Sequence, residues 1–261
     1  MTDRVYRLWR AAMVIVVLMA AAACAKKQLT PPPGSAQPDR FLFERGNEAL
    51  MKKEWMNART YYQQIVDNYP QSPFRPDAKL GMGDSYLGEG SAESGVLAAN
   101  EFREFLQFYP TNMRADYAQY KLAMSHYRQM RAPERDQTET REALKEFDVF
   151  FQRYPNSTLM SEVKANWRVA RDRLSEASYR VGLTYYRQRW YPGAIDRFRE
   201  VLRDDPGYTG RDAVYFYLAE SLSRTDKKPE AIPYFERLVS EFDRSEFLED
   251  AKKRLQELKN Q

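Results

Sequence analysis

The chain has 261 residues, 43% of them hydrophobic and 30% charged, which is enough to bury one or two sizeable cores and too apolar for a disordered protein. With 41 basic against 37 acidic residues the formal net charge is only +4, so the chain lacks the field of a nucleic-acid binder, whose affinity rests on neutralising many phosphates. One cysteine and one histidine exclude an internal disulfide and leave Ser-His-Asp, Cys-His and His/Cys metal chemistry without support.

The first ten residues carry Arg4, Arg7 and Arg10, and residues 11–25 then run without a charge. Such a span is short of the ~20 residues a membrane-crossing helix needs, but suits the apolar region of a signal peptide. It leads into Ala21-Ala22-Ala23-Cys24, which resembles a bacterial lipobox, with cleavage after residue 23 and lipid on Cys24. The alternative is an ordinary signal peptide with a cysteine near the cut by chance. Ala25 stands where an Asp would resemble the retention signal of inner-membrane lipoproteins, and this points to the outer membrane, periplasmic side. Removing residues 1–23 takes away three Arg and Asp3, leaving 38 basic and 36 acidic residues. Residues 24–38 hold the anchor and a Pro-rich tether, TPPPGSAQP, of extended character.

From Arg40 onward the text is helical and repetitive. Four segments end alike, at Pro70, Pro110, Pro155 and Pro206, and a fifth matches at Asp243. The pattern is that of tetratricopeptide (TPR) repeats, with small residues where two antiparallel helices touch and aromatics beside them. Residues 39–72 supply Gly46, Ala49, Ala58 and Tyr62; residues 175–208 supply Gly182, Tyr185, Ala194, Phe198 and Val201. The last repeat supplies Tyr215, Leu218, Ala219, Leu222, Ala231, Phe235 and Leu238. The second and third units keep Ala98, Phe102, Phe105 and Ala143, Phe147, Phe150, while Gly83, Tyr86, Met124 and Tyr127 fit only with longer internal turns at residues 88–95 and 131–138. Residues 156–174 contain no Pro or Gly and place Val163, Trp167, Ala170 and Leu174 on one face, predicting one long helix from Thr158 to about Arg189 with Ser157 or Thr158 as N-cap. Residues 245–261 read as a capping helix. The expected fold is thus an all-α TPR solenoid of about five repeats in two superhelical halves, residues 39–155 and 156–261, joined by the long helix.

The order of features resembles the BamD (ComL) family of outer-membrane assembly lipoproteins. The resemblance is carried by Arg135-Asp136, Ala143 and Phe147, Tyr154-Pro-Asn-Ser157, Arg171-Asp-Arg-Leu-Ser175, Glu176, Val181, Tyr185-Tyr186 and Leu202-Arg-Asp204. It implies a non-catalytic scaffold that docks a barrel-inserting subunit through that subunit's periplasmic domains, works beside other assembly lipoproteins, and handles unfolded β-barrel precursors. It also aligns Arg197, with Arg203 as a companion, to a family contact with the barrel subunit; the alternative is a solvated charge pairing with Glu200 or Asp196. A solenoid exposes a wall built mainly of A helices. In the N-terminal repeats the wall slots fall near Phe43, Asn47, Asp84, Lys121 and Arg128, where the C-terminal segment of a precursor would lie, although Phe43 alternatively packs on the tether. No cofactor is implied beyond lipid on Cys24, and His126 reads as structural. Two alternatives remain: a TPR lipoprotein of another envelope system, such as a pilotin-like secretin assembler or a cell-wall coordinator, and a cell-wall hydrolase, which would need paired carboxylates in a cleft.

Overall fold

A computed structural model describes Pro31 and residues 34–260; Cys24 and most of the tether lie outside the described residues. Among the described residues the chain forms eleven helices. In chain order they are α1 (Pro38–Met51), α2 (Trp55–Asn68), α3 (Arg75–Glu89), α4 (Ala92–Phe108), α5 (Ala115–Tyr127), α6 (Thr138–Arg153), α7 (Met160–Arg187), α8 (Tyr191–Asp204), α9 (Arg211–Arg224), α10 (Lys228–Glu241) and α11 (Leu248–Lys259). The chain divides into two compact units, up to Ala78 and from Lys79, with the division inside α3.

In the first unit α1 and α2 form an antiparallel pair around Leu42, Ala49, Ala58, Tyr61, Tyr62 and Ile65, all buried. A Cβ on Gly46 would lie 2.5 Å from the Tyr62 ring, so only glycine allows the helices to approach this closely. Lys53 makes the turn at φ +58°, the left-handed conformation that ends a helix sharply.

In the second unit α4/α5, α5/α6, α6/α7, α7/α8, α8/α9, α9/α10 and α10/α11 pack pairwise along the chain. The same device recurs at Gly182, where a Cβ would meet Phe198 at 2.7 Å, and the same left-handed turn recurs at Arg189 and Asp226. The B-helix alanines Ala98, Ala143, Ala194 and Ala231 are fully buried, as are Phe102, Phe147, Phe198 and Phe235. In the third pair the buried small residue is Ala123, which shares the core of Phe147; Met124 beside it is only partly buried.

The connections differ in part from the expected ones. Residues 88–95 are not a lengthened loop: α3 continues to Glu89, and α4 starts at Ala92 with the Ser91 hydroxyl accepting from the Ser94 N–H at 3.0 Å. The extra residues are absorbed as helix because each adds a backbone hydrogen bond, with Gly90 at φ +79° closing the bend. The insertion at 131–138 does lie in an open connection, between α5 and α6.

The long helix α7 runs for 28 residues, starting two residues later than expected. Its N-terminal half buries Val163 and Ala170, and Trp167 packs edge-on to Phe151 at 6.1 Å while its indole N–H donates to Asp148 at 3.0 Å. Its C-terminal half buries Ser175, Tyr179 and Gly182 beside α8 and α9. Ser157 precedes the helix, accepts from the Leu159 N–H at 3.1 Å, and donates to Asp116 in the first turn of α5 at 2.6 Å. Ser72 bonds Asp39 at 2.7 Å and Ser245 bonds Asp212 at 2.6 Å in the same way. At the C-terminus α11 buries Ala251 and Leu258 and leaves Lys252, Lys253 and Gln256 exposed, the polar outer face a solenoid end requires.

Candidate functional site

Two sets of residues were expected to carry function. In the first unit, Phe43 stacks on Phe74 with centroids 5.0 Å apart and tilts against Tyr62 at 6.2 Å. The Tyr62 hydroxyl donates to Asn47 Oδ1 at 2.7 Å. Both side chains are thus partly spent on holding the first repeat together, and Phe43 finds its packing partner in Phe74.

In the second unit, Asp84 on α3 and Lys121 on α5 come together at 3.8 Å. The Tyr117 hydroxyl donates to the Asp84 carboxylate at 2.8 Å, and the Tyr117 ring lies under Arg114 at 4.7 Å and Lys121 at 5.2 Å. Burial pushes the Asp84 carboxyl above the usual carboxylate range, against the opposing pull of Lys121, the Tyr117 hydroxyl, Arg114 and Arg128. Burial also raises the Tyr117 hydroxyl, reinforced by the charge of Asp84. Arg128 donates to the Leu87 carbonyl at 2.8 Å, at the C-terminal end of α3, where a cation complements the helix dipole. The structure therefore gathers Asp84 and Lys121 with Tyr117 and Arg114, two residues the sequence reading did not single out. The i, i+4 spacing of Tyr117 and Lys121 was the available signal; their meeting with Asp84 depends on helix packing.

His126, expected to be structural, bonds Glu139 through Nδ1 at 2.8 Å. That Glu139, with Ser91, Gly95, Ser125, Arg128 and Arg131 among others, lines a cavity of about 370 Å³.

The other set lies along α7 and α8. Arg197 is exposed and pairs with Glu200 at 2.8 Å. The Glu200 carboxylate, followed by the Tyr185 hydroxyl, holds its guanidinium pKa above the ordinary value. Arg203, 71% exposed, reaches Asp204 at 2.9 Å and Glu200 at 4.0 Å. Both arginines thus have local partners and remain open to solvent. Exposed pairs of this kind are weak because solvent screens them, so an incoming carboxylate can replace them at small cost.

A family profile described as YfiO, outer membrane lipoprotein, matches residues 35–226, most of the chain. The chain belongs to the YfiO family. A tetratricopeptide-repeat profile matches residues 213–245, covering α9 and α10, so this YfiO protein is a TPR α-solenoid by sequence and by its all-helical described structure. The outer membrane protein assembly factor BamD of Caulobacter vibrioides is similar at 27% identity over 186 residues, covering 71% of this chain and 60% of that protein. The factor of the same name from Rickettsia prowazekii is 25% identical over 198 residues, covering 76% and 77%. Among solved structures, the yeast Sti1 TPR2AB-domain:pHSP90 complex is similar at 11% identity with a TM-score of 0.49, covering 86% of this chain and 84% of that one. The YfiO match runs through α7 and α8 and so includes Arg197 and Arg203, and it also includes Phe43, Asn47, Asp84, Lys121 and Arg128. It begins after Cys24, so the anchor rests on the lipobox text alone.

Proposed function

We propose that this YfiO protein is a non-catalytic scaffold of outer membrane protein assembly, anchored through lipid on Cys24 and facing the periplasm, with no cofactor besides that lipid. The α7–α8 surface around Arg197 and Arg203 docks the periplasmic domains of a barrel-inserting subunit, alongside other assembly lipoproteins. The A helices bearing Phe43, Asn47, Asp84, Lys121 and Arg128 hold C-terminal segments of unfolded β-barrel precursors. The observation that carries this reading is the cluster on α3 and α5, where a half-buried carboxylate, two cations and a tyrosine ring come together. Such a surface offers a peptide both charged hydrogen-bond partners and an aromatic face.

Affinity purification of the full chain from detergent-solubilised envelope tests the assembly role. Recovery of a large barrel protein with periplasmic repeat domains is expected, and recovery of secretins or cell-wall enzymes alone would overturn it. For the precursor site, a photoreactive residue at Asn47 or Asp84 is expected to capture exported barrel precursors, and absence of capture from every wall position would refute that part.

A further inference from the structure

The α7–α8 turn displays a large aromatic side chain beside the exposed arginines of α8. Trp190 is 54% exposed, yet its position is closely fixed. Its backbone N–H bonds the Tyr185 carbonyl at 2.9 Å, while those of Gln188 and Arg189 bond Thr184 and Tyr186 at 3.0 and 2.9 Å. The indole stands edge-on to the Tyr185 ring with centroids 4.5 Å apart. It also occupies the space a Cβ on Gly193 would need, which would come within 2.6 Å of the indole. One flank of the ring is thus packed by its own turn and the other is open to water. A large aromatic presented in this way loses little rotamer entropy on binding, the signature of an interface anchor.

The surroundings define what would cover it. Tyr185 hydrogen-bonds Arg197 as well as supporting Trp190, so Trp190, Tyr185, Arg197, Glu200 and Arg203 form one continuous strip. Arg189, the residue before Trp190 in the left-handed turn, is exposed and makes no ion pair among the described residues. An exposed ring on a strip of solvent-open guanidiniums, Arg189, Arg197 and Arg203, calls for an apolar recess edged by carboxylates, since Arg forks bind carboxylates bidentately.

We infer that Trp190 is the aromatic anchor of the docking strip, inserting into an apolar recess rimmed by Asp and Glu on a folded periplasmic domain of the partner, with Arg189 and Arg197 pairing to the rim. This rests on the docking role proposed for the Arg197 surface and adds the residue that fixes affinity there.

The test uses the tagged full chain in its native envelope and quantifies co-recovered barrel protein, identified by mass spectrometry. Trp190→Ala is expected to lower recovery roughly tenfold or more, Trp190→Phe to retain most of it, and Arg197→Glu to lose it, with unchanged thermal melting by circular dichroism in all three. Wild-type recovery by Trp190→Ala while Arg197→Glu loses the partner would overturn the anchor and leave the docking role standing. Failure of the unmutated chain to recover any barrel protein would overturn the docking role and the anchor with it. Phosphatidylglycerol vesicles provide the remaining arm. A blue shift of tryptophan emission on their addition that is absent in Trp190→Phe would mean the indole seeks lipid, and would also overturn the inference.

Discussion

The residues that matter most to this fold are those with no room to change. Gly182 faces Phe198, a ring with 0% exposure that has nowhere to move. Gly182→Ala is expected to cost about 1–3 kcal/mol through overpacking, read as a lower urea midpoint without change in slope. Asp205 is the other such residue. Burial alone would raise its carboxyl, but Arg168 and the Ser175 hydroxyl, which donates at 2.6 Å, outweigh that and hold its pKa below the ordinary carboxylate value. A carboxyl depressed in the folded state contributes stability at pH values above its unfolded pKa, near 3.9, and loses it as pH falls through the folded value. Asp205→Asn is therefore expected to be less stable at neutral pH, with a stability curve flatter than wild type below about pH 4. Acid titration followed by circular dichroism checks this, and an unchanged acid limb would contradict it. Arg168→Ala leaves Asp205, 5% exposed, without its guanidinium, and should cost roughly 3 kcal/mol.

At the scale of elements, the turns after the B helices are joined to the A helices before them by one repeated bond. Ser72, Ser157 and Ser245 each accept from the N–H two residues on and donate to an aspartate in the preceding A helix, Asp39, Asp116 and Asp212. A hydrogen bond to a charged partner contributes about 1.5–3 kcal/mol. Ser157→Ala and Asp116→Ala are each expected to destabilise the chain, and the double variant to cost less than their sum, as coupled partners do. Additive losses in a double-mutant cycle would show the bond to be incidental. The α7 helix performs two tasks, covering α6 with one half and pairing with α8 through the other. Proline at Ala177 would break its hydrogen-bond ladder between the two at a cost of ~3 kcal/mol or more. The expected outcome is loss of Arg197-dependent partner recovery together with a lower melting temperature, whereas a wild-type melt would mean α7 need not be continuous.

For the whole molecule, membrane attachment depends on one residue, Cys24, under the function proposed above. Each buried CH₂ contributes about 0.8 kcal/mol, so the lipid proposed on Cys24 would, if multiply acyl, hold the domain at a membrane permanently. Cys24→Ala is expected to move the chain from the membrane to the soluble fraction and to remove its acyl mass, and continued sedimentation with membranes in high salt would contradict a lipid tether. The parts of this protein legible in the sequence are those that repeat with a period. Gly46, Ala58, Gly182, Ala194, Phe198, Ala231 and Phe235 mark where helices cross, and the Pro-free run from residue 156 marks α7, because steric contact between helices is encoded locally at fixed spacing. Residues 88–95 look like a loop in the sequence but are mostly helix, because glycine signals a break only weakly when neighbouring helix can add hydrogen bonds. Apart from the i, i+4 spacing of Tyr117 and Lys121, neither the group of Asp84, Tyr117 and Lys121 nor that of Trp190, Tyr185 and Arg197 carries a periodic mark that links its members. Their meeting depends on the rotation of one helix against the next, which packing sets and sequence spacing does not. The sequence alone determined the repeats, the long helix and the text of an anchor; the tertiary structure decided which charges are buried together and which aromatic ring is left facing water.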